Sequence, residues 1–432
     1  MKTVSLNTEQ APPISVPLRF FAVAPLFLLL SGLVLLSGTD NPFSDPRTPA
    51  LLAATHCITL GFMAIIMVGA MQQILPVVIG SPMPASGLTA WISFLSLISG
   101  ALLLPAGFVL GQPSLLKLAW PLLLLAFLTF IGASLTSLLR APARNPTRSA
   151  LLLSILALAG AVVLGVLLAR GYASGTALFD ARKLATAHIL LMLGGWVMLL
   201  IVGVSYQVVP MFQLTPDYPK WLTATLAPAI FGALLLNVLA LFYQPESSWL
   251  SVVAADLFCV LAGSFAMTTL DLQSKRRRRV ADATLGFFRL GMTALFSAAL
   301  LAIAMPMLPA IEHYEMLVAV IFLLGFAMSV MHGMLYKIVP FLIWFHLFRG
   351  SVKTGVPNMK EIIPEPWMWR HLWLHRCTLL AALLAPWWGA AAWLVALGLL
   401  LQGVLLGYAL LTAISVYRRT LVRLERNSNP DT

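Results

Sequence analysis

The stretch HILLMLGGWVMLLIVGVSYQVVP, from His188 to Pro210, contains the pattern around which the rest of the chain is arranged. A second copy, HCITLGFMAIIMVGAMQQILP, runs from His56 to Pro76, and a third, LLGFAMSVMHGMLYKIVP, ends at Pro340. Each copy has a Gly followed by an aromatic residue and closes with the spacing Gly-x-x-x-(Gln or Lys)-x-x-Pro. The closing residues are Gly69, Gln73 and Pro76; Gly203, Gln207 and Pro210; and Gly333, Lys337 and Pro340.

This closing spacing has a physical meaning on a helix. Positions i, i+4 and i+7 share one helical face, so Gly, the polar residue and Pro form one stripe. The Gly lets a neighbouring helix come close. The Pro frees a backbone carbonyl one turn earlier, and inside lipid that carbonyl needs a partner within the protein. We therefore expect Gln73, Gln207 and Lys337 to supply such partners.

Composition identifies the class of protein. The chain has 432 residues, of which 60% are hydrophobic and 10% charged. Long uncharged runs such as 20–36 and 222–242 predict a polytopic α-helical membrane protein. The three cysteines lie apart in apolar surroundings, which favours neither a disulfide framework nor a zinc site. The net charge of +12 lies in loops and the tail, so it indicates topology and lipid contact rather than nucleic-acid binding.

The apolar runs predict an all-α membrane domain with twelve spans. They lie at roughly 18–38, 50–79, 88–110, 116–139, 149–169, 184–212, 221–243, 248–270, 285–308, 315–346, 372–388 and 391–416. The three patterned stretches are spans 2, 6 and 10, four spans apart. We therefore predict one domain over residues 1–432, built from three pseudo-repeats of four helices, at roughly 1–146, 147–283 and 284–432.

Basic residues predict the orientation. They cluster after spans 4, 8 and 10 and in the C-terminal tail, which are on one side of a twelve-span chain. This places both termini in the cytoplasm and the protein in a bacterial inner membrane. Arg170, Arg182 and Lys183, before span 6, are the exception. His56 and His188 then lie about 9 Å below the outer surface, on the same side.

The pattern resembles that of the heme-copper oxidase superfamily, and most of all subunit I of the cbb3-type oxidases and nitric oxide reductases. The resemblance rests on three four-span repeats, the histidine of span 2, and the endings of spans 2, 6 and 10, including Gly-Met-Leu-Tyr at 333–336. It implies that His56 matches an axial ligand of the low-spin heme. It also implies that His188 matches a ligand of the active-site metal, and that the protein contacts other respiratory-chain subunits.

The sequence also departs from that family. Span 10 has Val318 and Val320 where the family has His-x-His, and span 7 has no histidine pair for copper. The resemblance therefore implies a scaffold without a complete oxygen-reducing centre, which disfavours oxidase catalysis. The chain is also similar to the NnrS proteins, multi-span heme and copper proteins linked to nitric oxide metabolism, although Ala54 replaces one histidine of their paired motif.

The candidate ligands are histidines. We expect His56 and His188 to bind heme b or copper, and His332, deeper in span 10, to bind a cofactor nearer the cytoplasm. The alternative for all three is a packing histidine bonded to a helix carbonyl. Three methionines are possible soft ligands near the paired histidines: Met63, Met67 and Met192.

Other polar residues suggest further roles. Asp256 is the clearest acid inside a span, so it is a candidate for a proton or ion path or for a pair with Lys337. Lys337 could instead extend to the interface. His371 and His375 share a helical face beside Arg370 and Arg376, which favours contact with lipid headgroups at the cytoplasmic edge.

Three functions remain open at this point. The first is an oxidase-like heme-binding protein in nitric oxide or respiratory redox handling, or an accessory to an oxidase. The second is a transporter of a small solute or metal ion, since Gly- and Pro-interrupted helices suit transport. The third is a structural or assembly partner of a respiratory complex.

Overall fold

The structure is a computed structural model that describes residues 12–38, 41–142, 144–176, 180–243, 249–278, 280, 282–307, 312–348 and 355–428. The described residues are almost entirely helical and contain no strand. Among them, eleven helices are long and apolar enough to cross a membrane. The chain is therefore a multi-pass helical membrane protein, as its composition predicts.

We number the long helices in chain order. The first ten are α1 (Ser15–Ser37), α2 (Pro49–Ile79), α3 (Ser86–Val109), α4 (Pro113–Arg140), α5 (Pro146–Ser174), α6 (Ala181–Gln213), α7 (Lys220–Tyr243), α8 (Trp249–Ser274), α9 (Ala283–Ala304) and α10 (Tyr314–Phe348). A short helix, Met359–Ile362, precedes α11 (Glu365–Leu384) and α12 (Gly389–Ser428).

Helix α11 differs from its sequence prediction. It begins at Glu365, before the predicted start near residue 372, and it includes Arg370 and Arg376. Its arginines, histidines and tryptophans lower its mean hydropathy, and it is not among the eleven apolar helices. It nevertheless packs against α9 and α12 and buries two histidines. A twelfth crossing of the membrane by α11 stays a prediction.

Polar caps define where several helices begin. Thr48 accepts a hydrogen bond from the Leu51 amide at the start of α2, and Asp180 accepts from the Arg182 and Lys183 amides at the start of α6. Such caps satisfy amides that have no partner within the helix. Their positions set the register of the histidines that follow in α2 and α6.

Each patterned helix contains one π-helical segment of eight residues: Cys57–Ala64 in α2, Leu190–Val197 in α6 and Ile321–Met328 in α10. Each segment contains the Gly-aromatic pair of its copy. A Cβ added to Gly195 would lie 2.5 Å from Ala157 of α5, and one added to Gly325 would lie 2.8 Å from Ala294 of α9. One added to Gly61 would overlap Phe27 of α1. In all three copies this Gly therefore permits close contact with the preceding helix.

The patterned helices form the centre of the molecule. Of their most apolar windows, 72%, 78% and 67% are buried, against 28–50% in the other eight apolar helices. Phe62 of α2 lies 5.0 Å from the His332 ring of α10, and Phe212 of α6 lies 5.4 Å from Phe341 of α10 (ring centroids). The three helices thus converge, which places their polar residues inside the protein.

Candidate functional site

His56 and His188 line one cavity, as their shared pattern predicts. We call it the paired-histidine cavity; it has a volume of about 70 Å³. Helices α2 to α6 form its walls, which are mostly aliphatic and aromatic. The lining side chains besides the two histidines include Leu104, Trp120, Phe127, Val162, Gly165 and Met192. A pair of imidazoles in an apolar, partly open cavity is suited to a bound group that prefers nitrogen ligands.

Hydrogen bonds determine which nitrogen of each imidazole is available. Nδ1 of His56 lies 2.7 Å from the Leu52 carbonyl oxygen, one turn earlier in α2. Nδ1 of His188 lies 2.8 Å from the Ala161 carbonyl oxygen of α5. A carbonyl oxygen only accepts, so each Nδ1 carries the proton and donates it. Each neutral ring therefore keeps its lone pair on Nε2, the arrangement usual for a histidine that binds a metal.

Two further residues shape this cavity. Gly165 lies beneath the His188 ring, because a Cβ at that position would be 2.9 Å from Cε1 of His188. Met192 lines the cavity one helical turn after His188. Met63 and Met67, the other candidate soft ligands, are buried elsewhere and do not line it. The nitrogen and sulfur donors of the cavity are thus two imidazoles and one thioether, and Thr59 adds a hydroxyl.

The third candidate, His332, belongs to a different site. It is fully buried in α10, and its ring lies 4.5 Å from His371 and 5.1 Å from His375 of α11 (ring centroids). His371 and His375 are 0% and 1% exposed. Their predicted contact with lipid headgroups is therefore wrong. We call His332, His371, His375 and Tyr336 the buried histidine cluster.

The sequence contained a signal for this cluster. The two histidines of α11 fall on the same helical stripe as four buried apolar residues, Met368, Leu372, Leu379 and Ala382. That spacing marks the inner face of the helix. The neighbouring arginines made this face difficult to recognise from the sequence. In the structure, Arg370 and Arg376 lie over the rings of Trp367 and Trp373.

Within the part of the chain that the structure describes, three of the six imidazole nitrogens in the cluster have hydrogen-bond partners, and those partners are mainly side chains. Nδ1 of His371 lies 2.8 Å from the Tyr336 hydroxyl. Nδ1 of His375 lies 2.8 Å from Oε1 of Gln402 in α12, and its Nε2 lies 2.9 Å from the Ser329 hydroxyl. Both nitrogens of His332 and Nε2 of His371 are buried without a hydrogen-bond partner among the described residues. Leaving such groups unpaired costs about 1–3 kcal/mol each.

The histidines of the buried histidine cluster do not form a metal-binding group. Among the residues that the structure describes, no three His, Cys, Asp or Glu side chains are grouped so that they could hold a metal ion. Both nitrogens of His375 already have oxygen partners. Phe62 and Phe287 cover the His332 ring, at centroid distances of 5.0 and 5.7 Å. Among the described residues, the paired-histidine cavity contains only two His, Cys, Asp or Glu side chains, so the same finding applies to it. Its imidazoles differ in that each Nε2 has no hydrogen-bond partner within the described part of the chain.

The polar residues of the closing spacing, Gln73, Gln207 and Lys337, do not bond the carbonyls freed by the prolines, although the sequence predicts that role. Within the described part of the chain, Oε1 of Gln73 has no partner, and Gln207 makes no hydrogen bond. Lys337 does not pair with Asp256; its Nζ lies 3.4 Å from Oδ2 of Asp282, at the start of α9. None of the three bonds the carbonyl one turn before its proline. Asp256 is half-buried in α8, outside the paired-histidine cavity.

The ion pair of Lys337 forms a small charged group beside α9. Asp282 also lies 3.6 Å from Arg278 and accepts hydrogen bonds from Thr284 and from the Leu285 amide. Burial raises the pKa of Asp282. The hydrogen bonds and the Lys337 charge outweigh that effect and hold the pKa below its ordinary value. Lys337 thus fixes the end of α10 to the start of α9.

No protein-family model matches the chain, and no curated protein is similar enough to count as a match. The geometry of the two histidine sites is therefore the basis for assigning a function.

Proposed function

We propose that this protein holds one soft transition-metal ion, of the copper(I) class, in the paired-histidine cavity, and uses it in redox handling within a bacterial inner membrane. The observation that carries the proposal is the pair of imidazoles from α2 and α6. Each has Nδ1 bonded to a carbonyl and Nε2 left for a ligand. Met192 adds a thioether, and imidazole and thioether are ligands that copper(I) accepts.

Cavity size favours an ion over a porphyrin. Small-molecule and cofactor sites usually occupy about 300–1,000 Å³. The paired-histidine cavity has about 70 Å³, which is room for an ion and one or two small molecules. Heme b at His56 and His188 would require α4 and α5 to move apart. Heme b stays a prediction from the resemblance, and an absorption spectrum distinguishes it from copper.

The wider scaffold is also part of the proposal. We take α11 as a twelfth crossing and the chain as three units of four helices, with both termini in the cytoplasm. The repeated π-helical segment and the repeated Gly contact with the preceding helix support the three units. The basic residues after spans 4, 8 and 10 support the orientation. A copper ion bound in this scaffold would supply one-electron chemistry or delivery to another respiratory subunit. The two imidazoles would hold the ion, and the Leu52 and Ala161 carbonyls fix their tautomers.

A transport function has weaker support. Its two candidate residues do not meet: Lys337 is paired with Asp282, and Asp256 lies in α8. Neither lines the paired-histidine cavity. We therefore keep redox handling as the proposal.

The test is the metal content of detergent-purified protein from cells grown with copper and iron, kept under reducing conditions. We expect roughly one copper per chain, lost in His56→Ala and in His188→Ala because two-point ligation is broken. The matched control is His346→Ala, since Nδ1 of His346 also lies near the carbonyl one turn earlier, 2.9 Å from Leu342. His346 lies outside the cavity.

Two results would contradict the copper assignment. One is protein without copper after growth in ample copper. The other is a Soret band that disappears in His56→Ala and in His188→Ala, which would place a heme at the same ligands.

A further inference from the structure

We propose that the buried histidine cluster is a proton-binding site inside the membrane domain, with His375 as the residue that holds the proton. The site is formed by α10, α11 and α12 and does not depend on the paired-histidine cavity. The ligand is a proton from water, and the evidence is the direction of the hydrogen bonds around His375.

Hydrogen bonds fix the orientation of the Gln402 amide. The Thr378 hydroxyl donates to the Leu374 carbonyl oxygen, 2.8 Å away. Its oxygen can then only accept from Gln402, whose Nε2 lies 3.0 Å away. The amide nitrogen of Gln402 therefore faces Thr378, and its carbonyl oxygen faces His375.

This orientation determines the state of Nδ1 of His375. Its partner, Oε1 of Gln402, is 2.8 Å away and only accepts. Nδ1 is therefore protonated and donates this bond. In a neutral ring, Nε2 would then carry the lone pair.

Oxygen atoms also surround Nε2 of His375, which lies 3.1 Å from the Leu324 carbonyl oxygen and 2.9 Å from the Ser329 hydroxyl. In the neutral ring, the Ser329 hydroxyl can donate to the lone pair on Nε2. In the charged ring, the proton on Nε2 is donated to the Leu324 or Ser329 oxygen, and the Ser329 hydroxyl can itself donate to Leu324 at 3.5 Å. The surroundings therefore accommodate both the neutral and the imidazolium ring at position 375, with only the Ser329 hydroxyl rotating.

The neighbouring rings provide a path by which a proton can leave His375. The His332 ring lies 5.1 Å from His375 and 4.5 Å from His371, and both of its nitrogens are unpartnered among the described residues. A proton released from Nε2 of His375 can be taken by one nitrogen of His332, so the positive charge moves to that ring and His375 is left neutral. His332 can then give the proton on its other nitrogen to Nε2 of His371, which leaves His332 neutral and His371 charged. Nδ1 of His371 keeps the Tyr336 hydroxyl as its partner, so the proton stays within the cluster.

The charged groups near the cluster are engaged elsewhere, so they do not hold the proton on one ring. Phe62 of α2 and Phe287 of α9 face His332, and α12 contributes the uncharged Gln402. No carboxylate contacts the cluster within the described residues. Arg376 follows His375 in the chain but lies over Trp373, and Lys337 follows Tyr336 but is paired with Asp282. A buried positive charge that is stabilised only by neutral oxygens is costly, so the proton is readily released.

The test is ¹⁵N NMR of histidine-labelled full-length protein in lipid bilayers, prepared without added metal, between about pH 8 and about pH 4. We expect one imidazolium signal with two hydrogen-bonded N–H groups, which is lost in His375→Gln. In Gln402→Glu the midpoint should move upward by about one pH unit or more, because a carboxylate stabilises the charged ring. In Gln402→Leu it should move downward, because an acceptor is lost.

The control is His313→Gln, which removes a histidine outside the cluster and should leave that midpoint unchanged. A wild-type spectrum without the imidazolium signal in this range would overturn the proposal. Equal midpoints in Gln402→Glu and Gln402→Leu would overturn it as well, since a merely structural role predicts no opposite shifts.

Discussion

The two histidine sites use the same side chain under different constraints. In the paired-histidine cavity, each imidazole is half-buried and bonded once, through Nδ1, to a backbone carbonyl. In the buried histidine cluster, the rings are at most 1% exposed and bond mainly to hydroxyl and amide side chains. A carbonyl partner fixes one tautomer, which suits a metal ligand. The hydroxyls of Ser329 and Tyr336 can both donate and accept, so they permit a change of protonation at the ring nitrogens, which suits proton movement.

Filling the space below His188 should give the largest effect and should affect one site only. In Gly165→Ala the new methyl group would lie 2.9 Å from Cε1 of His188, so the ring must move. We expect copper affinity to fall about 10–100-fold, as for losses in the shell around metal ligands. The measurement is competition with a copper(I) chelator.

Gly132→Ala is the matched control, since nothing lies within 4 Å of a Cβ at that position. Equal affinity in the two variants would contradict the assigned position of His188. A changed NMR spectrum of the buried histidine cluster in Gly165→Ala would show that the two sites are not independent.

Removing one hydroxyl should weaken the buried histidine cluster alone. In Tyr336→Phe, Nδ1 of His371 loses its partner, so both nitrogens of a fully buried ring are left unpaired. We expect the free energy of unfolding to fall by about 1–3 kcal/mol, with copper affinity unchanged. Unfolding of the detergent-solubilised protein by denaturant measures the first quantity.

Tyr206→Phe provides the comparison, because the buried Tyr206 hydroxyl has no partner among the described residues. It should cause no loss of stability. Similar losses in both variants would mean that the bond between Tyr336 and His371 does not stabilise the cluster.

The smallest effect concerns the ion pair that joins α9 and α10. The pKa of Asp282 is lower in the folded protein than its ordinary value, so ionised Asp282 stabilises the fold at higher pH. That contribution is complete above about pH 4 and is lost as the pH falls further. In Asp282→Asn the cap of α9 is kept but the charge is lost, so we expect destabilisation of about 1 kcal/mol or less at neutral pH.

The difference between wild type and Asp282→Asn should shrink toward about pH 3, which thermal unfolding across pH can follow. Asp271→Asn is the control, since its ion pair with Lys275 is exposed. A difference for Asp282→Asn that stays constant with pH would contradict a stabilising role for the ionised carboxylate.

Much of the fold could be predicted because it depends on local composition. The uncharged runs gave ten spans whose ends agree with α1 to α10 within several residues. The Gly of the closing spacing predicted close helix contacts, and Gly203 and Gly333 do lie against the preceding helix, beside Ala150 of α5 and Phe287 of α9. The prediction was less accurate at α11, where charged residues interrupt the apolar run and the helix begins earlier.

The site was only partly predictable. His56 and His188 were identified because they precede the repeated pattern at similar depth, and they do share a cavity. The predicted role of Lys337 was wrong, because its partner, Asp282, is 55 residues away along the chain. The sequence prediction placed His371 and His375 at the lipid headgroups, because the neighbouring arginines are typical of a membrane interface.

The sequence alone determined that this protein is helical, lies in a membrane and repeats one pattern, because hydrophobicity and helical period act within a single segment. Only the tertiary structure decided which nitrogen each histidine offers and which histidines meet. Those outcomes depend on carbonyls and side chains of other helices: Ala161 for His188, and Gln402 and Ser329 for His375. Such partners are distant along the chain, and hydrogen-bond direction becomes defined only once the helices have packed.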